Sequence, residues 1–419
     1  MHWSDAAERI ENDGKVVLAS HDNGQWMRIS KEVCQILDEI VAHQENPDTL
    51  RSAFESPEDY EYVVSLLKLL VKSGILTEKP DAEEPVDSEG SVNIQAALQL
   101  TNRCNLRCRH CCVSAGEDMQ DPEADTLTMM HILDKLIEWE PRSIMLSGGE
   151  PLIREDFFVL LHYLRNNYNG KILLSTNSLL IDEINAADLV DCCDQIDISL
   201  DGIDEESCAS VRGRGVFGKV CDHIQILHRH GFEQINVSMV FSDKNEHLIG
   251  KFRELNDRLG TNPICRTFSP VGRGARNWRD FTDKTEEDVY IPAEYLRQDF
   301  NEAFGISTCK AGRREVFIRC NGDIYPCPSY MARQFMLGNI LTAGSLKDLL
   351  KDKAEAGSHA DSPVSFAECR DCKVSWFCWT CPGERLEIKT QAAFCKRCAI
   401  LKPLLYYRVW ESNINMKGG

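Results

Sequence analysis

Cys104-Asn105-Leu106-Arg107-Cys108-Arg109-His110-Cys111 puts three thiols on one short stretch, spaced by three and then by two residues. Thiolates are the usual ligands of iron–sulfur clusters, and three at this spacing can hold three corners of a cubane, leaving one iron open to an outside donor. A structural zinc wants a fourth protein ligand. Cys112 follows at once, but adjacent side chains diverge, so it reads as packing. A second group lies far downstream: Cys309, Cys320 and Cys327, then Cys369, Cys372, Cys378, Cys381, Cys395 and Cys398. Its C-x2-C elements suit either clusters or a pair of zinc ribbons. Cys34, Cys192, Cys193, Cys208, Cys221 and Cys265 show no ligand spacing beyond the adjacent pair and read as small buried hydrophobes.

These residues need elements to position them. From about residue 93, apolar runs alternate with amphipathic segments: 94–100, 143–147, 171–175, 195–200, 235–241 and 264–268, with helical patterns over 127–139, 157–164, 217–230 and 247–259. A parallel return requires a crossover of this length, so the pattern implies a parallel α/β sheet. The polar signals follow successive strands: the cysteine loop, then Gly148-Gly149-Glu150-Pro151, Ser175-Thr176-Asn177 and Ser199-Leu200-Asp201-Gly202. In such folds ligands bind at the C-terminal strand ends, so the chemistry points to one rim. Further on, VFIRCNGDIYPC (316–327) reads as a hairpin turning at Asn321-Gly322.

Ahead of this core, strands at 15–20 and 25–30 join across Asp22, Asn23 and Gly24, two helical patterns follow, and Ile75-Leu76 closes a winged-helix-like plan. KPDAEEPVDSEGS (79–91) has the composition of an exposed linker. The expected division is a domain at 1–80, a linker at 81–92, a core at 93–300, a cysteine-rich domain at 301–402 and a tail at 403–419.

With 43% hydrophobic residues the chain has the composition of a folded protein, and its net charge of -19 argues against nucleic acid or an anionic membrane as partner. The N-terminus lacks the pattern of a secretory signal, and no run of 18 apolar residues exists. A cytoplasmic protein is expected. Thiols there stay reduced, so nineteen cysteines point to metal or cluster ligation and not to disulfides.

C-x3-C-x2-C after the first strand, with GGEP, STN, SLDG and Arg212 in order behind it, resembles the radical S-adenosylmethionine (SAM) enzymes. The resemblance implies a partial (β/α)6 TIM-like barrel and a 4Fe-4S cluster on Cys104, Cys108 and Cys111. The amino and carboxylate groups of SAM would chelate the open iron. Gly148, Gly149 and Glu150 belong to the family's cofactor motif, with Glu150 contacting the amino group. Ser199 and Arg212 stand at the ribose and carboxylate contacts, Ser175, Asn177 and Asp201 are further candidates, and His110 occupies the usual aromatic position beside the adenine. The chemistry implied is reductive cleavage of SAM to a 5′-deoxyadenosyl radical that abstracts a substrate hydrogen atom.

Downstream, C-x12-G-x4-C, then C-x2-C-x5-C-x2-C and a later cysteine, resembles the SPASM domain, which holds two auxiliary 4Fe-4S clusters. Cys309, Cys327 and Cys381 would serve the first; Cys369, Cys372, Cys378 and Cys395 the second. The last short spacing is two residues where three is commoner, and the extra thiols Cys320 and Cys398 leave the remaining ligand choices open. The N-terminal plan is similar to the PqqD-like peptide recognition element, which takes a leader peptide as an added strand. A DNA-binding winged helix would carry a basic face, which is missing here. Together the resemblances imply a maturase of a ribosomally made, leader-bearing precursor peptide, with three clusters and a flavodoxin or ferredoxin as electron donor. An oxidative crosslink, first of all a Cys thioether as in sactipeptide and ranthipeptide maturases, is the expected product. A carbon–carbon crosslink, an anaerobic sulfatase-maturating type of enzyme and a non-catalytic redox sensor are the alternatives.

Overall fold

The computed structural model describes residues 1–4, 6–21, 23–43, 51, 54, 56–78, 95–117, 122–283, 291, 305–306, 309, 311–312, 315–355, 367–379, 388 and 390–412. They form two compact units, one of residues 1–91, 286–310 and 361–419, the other of 92–285 and 311–360.

In the first unit the chain runs β1 (His2–Trp3), β2 (Ala7–Asn12), β3 (Lys15–Ser20), β4 (Trp26–Ser30), α1 (Lys31–Ala42), α2 (Pro57–Lys72) and β5 (Leu76–Thr77). The expected hairpin forms, with Ala19 opposite Trp26. An additional strand, β2, pairs with β3 through Asp13-Gly14, both at positive φ as a tight hairpin turn requires. Half of its sequence AERIEN is charged, as suits a sheet edge, and so it carries little apolar alternation to betray it. Ser30 caps α1 by accepting from the Val33 N–H at 3.2 Å, and Ser56 ahead of Pro57 caps α2. β3 is buried throughout after Lys15 because both faces are covered. Val16 and Leu18 pack on α1 and α2, while Val17 and Ala19 pack with Phe377, Leu401, Leu405 and Trp410 from the C-terminal segment. That segment is further tied by Arg28, which donates to the carbonyls of Val409 at 2.6 Å and Ser412 at 2.7 Å.

The second unit holds β6 (Gln95–Gln99), β7 (Ser143–Ser147), β8 (Lys171–Thr176), β9 (Gln195–Ser199), β10 (Ile235–Phe241) and β11 (Asn262–Thr267), parallel neighbours in chain order. Between them run α3 (Thr126–Glu138), α4 (Phe157–Asn167), α5 (Ala186–Cys192), α6 (Glu205–Arg212), α7 (Phe217–Arg229) and α8 (Ile249–Leu259). The short helices α5 and α6 are additional to the sequence-based expectation, being about two turns each and too brief to show a helical period. On the outer side of β6 the sheet continues with β12 (Glu315–Ile318), which pairs parallel to β6, then antiparallel with β13 (Asp323–Tyr325) and β14 (Gly338–Asn339). The result is one mixed sheet of nine strands. Its apolar face, Leu98, Leu146, Leu174, Ile196 and Val237, is buried under α3, α4, α7 and α8. Fully burying each such side chain is worth about 1.5–3 kcal/mol. Among the described residues, no helix is long and apolar enough to cross a membrane.

Candidate active site

Beyond β6 the chain enters the cysteine loop, and two backbone crossings fix it. On one side the Gly149 N–H donates to the Thr101 carbonyl at 2.7 Å and the Glu150 N–H to the Arg103 carbonyl at 2.9 Å. A Cβ on Gly149 would stand 2.2 Å from the Arg103 carbonyl oxygen, and one on Gly148 2.7 Å from that of Thr101. The paired glycines therefore serve the close approach of two main chains. On the other side Arg273 gathers the loop's carbonyls. Its Nε donates to Cys108 O and its Nη2 to Ala115 O, both at 2.9 Å, and its backbone N–H donates to Cys111 O at 2.9 Å. Gly272, at φ +59°, lets this segment close on the loop, since a Cβ there would meet the Cys112 carbonyl at 2.2 Å. Sequence reading singled out neither residue; the signal was a Gly-Arg-Gly turn after β11.

Each thiol of the loop has an N–H donor. Cys104 Sγ accepts from the Leu106 N–H at 3.4 Å and from Asn177 Nδ2 at 3.9 Å, Cys108 Sγ from Arg212 Nη1 at 3.7 Å, and Cys111 Sγ from the Ala115 N–H at 3.3 Å. Burial raises the Cys104 and Cys108 thiols, while the Leu106 N–H and the Arg212 charge respectively pull them down. Donors aimed at sulfur fit thiolates that hold an electron-rich cluster. Among the described residues no three His, Cys, Asp or Glu side chains converge where one metal ion could sit. A cubane spreads its thiolates over separate irons and needs a wider set.

Glu150 is fully buried. Its Oε1 accepts from Thr176 Oγ1 at 2.7 Å and the Leu152 N–H at 3.2 Å, and its Oε2 from the Asn177 N–H at 2.7 Å. Burial pushes its carboxyl up to about 7 against those bonds. A donor from a ligand would steady the ionised form. The hydroxyl that holds it belongs to Thr176, between the two expected residues. Ser175 and Thr176 point to opposite faces of β8. Asn177 Nδ2 also donates to Asn105 Oδ1 at 2.7 Å, linking the β8 end to the cysteine loop.

Asp201, in the left-handed region at φ +56°, joins two further predicted residues. Its Oδ2 accepts from Arg212 Nη2 and His110 Nε2, each at 2.6 Å, and its Oδ1 from the Val240 N–H at 2.7 Å. Burial raises this carboxyl, but the charges of Arg212 and His110 and their bonds outweigh it and hold it below the ordinary range. Arg212, whose charge burial disfavours, is kept charged by Asp201. Arg212 Nε donates to the same Oδ2 at 2.7 Å, which leaves Nη1 on Cys108, so one guanidinium ties carboxylate to thiol. His110 stacks at 6.0 Å on Phe281, which stacks at 4.5 Å on Phe268, and the Nδ1 of His110 is buried without a partner among the described residues. The glycine of the same motif, Gly202, is there for α6, whose Cys208 backbone N would lie 2.4 Å from a Cβ. Ser175 and Ser199 are half-buried on one face of the sheet, and no hydrogen bond holds either hydroxyl among the described residues.

The cysteine-rich segment is partly described. Cys369 and Cys372 share a turn, with the Cys372 N–H donating to Cys369 O at 3.1 Å. Arg397 donates to Cys378 Sγ at 2.8 Å and to its carbonyl at 2.6 Å, and lies 3.8 Å over the Trp379 ring. The helix Gln391–Tyr406 buries Ala393, Phe394, Arg397, Leu401 and Leu405. Cys398 flanks that face, whereas Cys395 is exposed and takes Gln391 Nε2 at 3.7 Å. Burial pushes Cys369 up to about 11, and the thiols of Cys378, Cys372 and Cys398 act in the same direction. Cys309 and Cys327 are half-buried in separate units, Cys320 lies in the apolar core of the sheet, and Cys381 falls outside the described residues. Cys34, Cys192, Cys193 and Cys208 are buried as small hydrophobes, while Cys265 is exposed.

Residues 98–255 match the radical SAM superfamily, and residues 309–373 match SPASM, an iron–sulfur cluster-binding domain. Mycofactocin maturase MftC of Mycobacterium ulcerans is 31% identical over 294 residues, spanning 65% of this chain and 78% of that protein. The chain belongs to the radical SAM superfamily. The subtilosin biosynthesis protein AlbA of Bacillus subtilis is 25% identical over 334 residues, 74% of this chain and 72% of that protein. The radical SAM fold is shared with Streptococcus suis SuiB, solved with its precursor peptide SuiA, at a TM-score of 0.55 and 15% identity over 93% of this chain and 97% of that one. As a radical SAM enzyme with a SPASM domain, the protein uses SAM and 4Fe-4S clusters.

Proposed function

We propose that this radical SAM enzyme is a peptide maturase that installs an oxidative crosslink, a Cys thioether, in a ribosomally made precursor peptide. The observation that carries the proposal is the loop of Cys104, Cys108 and Cys111, each thiol with an N–H donor, facing the Asp201–Arg212–His110 network and Glu150. Similarity to a mycofactocin maturase and to a biosynthesis protein of the bacteriocin subtilosin supports a peptide as substrate. When bound, the catalytic cluster and SAM supply reductive cleavage to a 5′-deoxyadenosyl radical. The chain's residues do the rest. Glu150 would take the amino group of SAM, Arg212 its carboxylate and Ser199 the ribose, with Ser175 and Asn177 as further contacts and His110 beside the adenine. The cysteines of the SPASM segment would hold auxiliary clusters, which would supply an acceptor for the one electron released when a Cys thiol, having lost its proton, bonds to a substrate carbon that has lost a hydrogen atom. The peptide thus loses two hydrogens per crosslink.

In this reading residues 1–80 form the leader-recognition domain, 93–300 the core and 301–402 the SPASM domain with two auxiliary clusters. The three-stranded sheet β2–β3–β4, backed by α1 and α2, has strand edges on which a leader can add. For the second auxiliary cluster, the position of Cys398 beside the buried helix face favours it over Cys395 as partner of Cys369, Cys372 and Cys378. Cys309, Cys327 and Cys381 serve the first. A flavodoxin or ferredoxin supplies the electrons.

The test is anaerobic reconstitution with iron and sulfide, then dithionite, SAM and each short Cys-bearing peptide encoded near the gene. About twelve irons per chain, 5′-deoxyadenosine and a peptide lighter by about two mass units per crosslink are expected. Full cluster loading without deoxyadenosine overturns the enzyme reading, and deoxyadenosine with an unchanged peptide overturns the maturase reading.

A further inference from the structure

Parallel sheets are ordinarily buried on both faces by apolar side chains. Here the face opposite the helices carries a polar row. Register places Gln99 beside Ser147, Ser175 beside Asp197 and Asp197 beside Asn236, and the pairing of Leu146 with Leu174 sets Ser147 next to Ser175. At about 4.8 Å between strands the row is roughly 19 Å long. Ser199, two residues further along β9 on the same face, lies roughly 7 Å nearer the rim. The row therefore lies one pleat below Ser199 and reaches the cofactor side only at Ser175.

Asp197 is only 5% exposed. Its Oδ1 accepts from Gln195 Nε2 at 2.9 Å and Asn236 Nδ2 at 2.8 Å, which fixes the carboxylate, while Oδ2 accepts nothing among the described residues. At the other end of the row Gln99, 1% exposed, donates from Nε2 to Asn102 Oδ1 at 3.3 Å and leaves Oε1 buried without a partner among the described residues. Ser147 and Ser175 between them are half-buried, and neither hydroxyl is bonded among the described residues. An unpaired buried acceptor has lost its hydration without recompense, and a ligand carrying N–H groups restores the missing bond. A sheet interior built only for stability would fill these positions with branched apolar residues.

We infer that Asp197, held by Gln195 and Asn236, is a substrate-binding residue whose free oxygen takes an N–H donor of the peptide, and that Gln99 Oε1 takes a second. The inference rests on the peptide-maturase reading. Either a backbone amide or a cationic side chain supplies such a donor, and two variants tell them apart.

The experiment uses the full-length reconstituted enzyme and the precursor peptide that it modifies in the reconstitution assay, reading KM, kcat, iron per chain and the ratio of deoxyadenosine to modified peptide. D197A is expected to raise KM roughly 10- to 100-fold and to increase deoxyadenosine formed per crosslink, with iron content and peptide-independent SAM cleavage unchanged. An equal rise in D197N identifies a cation, and a D197N close to the native enzyme identifies an amide N–H. A D197A enzyme with native KM and coupling overturns the inference. If D197A lowers the iron content, the double variant D197N with Q99L carries the test, and native KM and coupling there overturn it equally. A native enzyme that forms no deoxyadenosine or leaves the peptide unmodified defeats the maturase reading instead, so the two failures are distinguishable.

Discussion

Gly149→Ala probes the crossing that positions the cluster loop. The new Cβ would sit 2.2 Å from the Arg103 carbonyl oxygen, 2.8 Å from its carbon and 2.9 Å from the Asn102 carbonyl oxygen. All three are main-chain atoms, so no flexible side chain can swing away. To reach the 3.4 Å of ordinary contact, the loop must retreat by about 1.2 Å, which strains the bonds from Gly149 N to Thr101 O and from Glu150 N to Arg103 O. Two backbone hydrogen bonds at about 1 kcal/mol each, plus about 1–3 kcal/mol for overpacking, make a cost of roughly 3–5 kcal/mol. For a unit of this size that lowers Tm by about 10 °C. Reconstituted G149A should lose about four irons per chain, those of the catalytic cluster, and all SAM cleavage, and keep the auxiliary clusters. Iron and sulfide analysis, electron paramagnetic resonance and a thermal melt read this directly. G218A is the control: Gly218 lies in α7 with nothing within 4 Å of a Cβ, so that variant should melt about 1 °C or more higher. A G149A protein with native iron and native turnover would refute the role assigned to the glycine pair.

Burial raises the Glu150 carboxyl from 4.5 to about 7, which penalises its ionised form, so the native protein should lose stability relative to E150Q by about 3 kcal/mol as pH rises from 4.5 to 7 and change no further above. Urea melts of SAM-free protein at pH 5 and 8 check this, and parallel curves for the two proteins would contradict it. R212L leaves Asp201 buried with only His110 and the Val240 N–H, and should cost about 3–5 kcal/mol, most of which D201N with R212L restores. R273Q removes the guanidinium contacts to the Cys108 and Ala115 carbonyls; a broadened or shifted resonance of the SAM-bound cluster at unchanged auxiliary signals is expected, and an identical spectrum argues against a positioning role. C398A, but not C395A, should remove about four irons per chain.

Much of this protein was legible in its sequence. Thiol spacing is local, so Cys104, Cys108 and Cys111 named their own chemistry. The six parallel strands could be read because each is a short apolar run set off by an amphipathic helix, a pattern that local burial imposes. The Asp13-Gly14 hairpin was also written in the chain, but β2 around it is a charged edge strand without the alternation that a half-buried strand shows. What distant residues do to each other was not legible. Only folding brings Arg273 onto the carbonyls of residues 108 and 115, sets Thr176 and not Ser175 against Glu150, and joins His110 and Arg212 on Asp201. Strand register decided the rest. A pleat alternates faces at every residue, so the sequence names the polar residues of β6 to β10, but only pairing across five strands aligns Gln99, Ser147, Ser175, Asp197 and Asn236 into one row facing away from the helices.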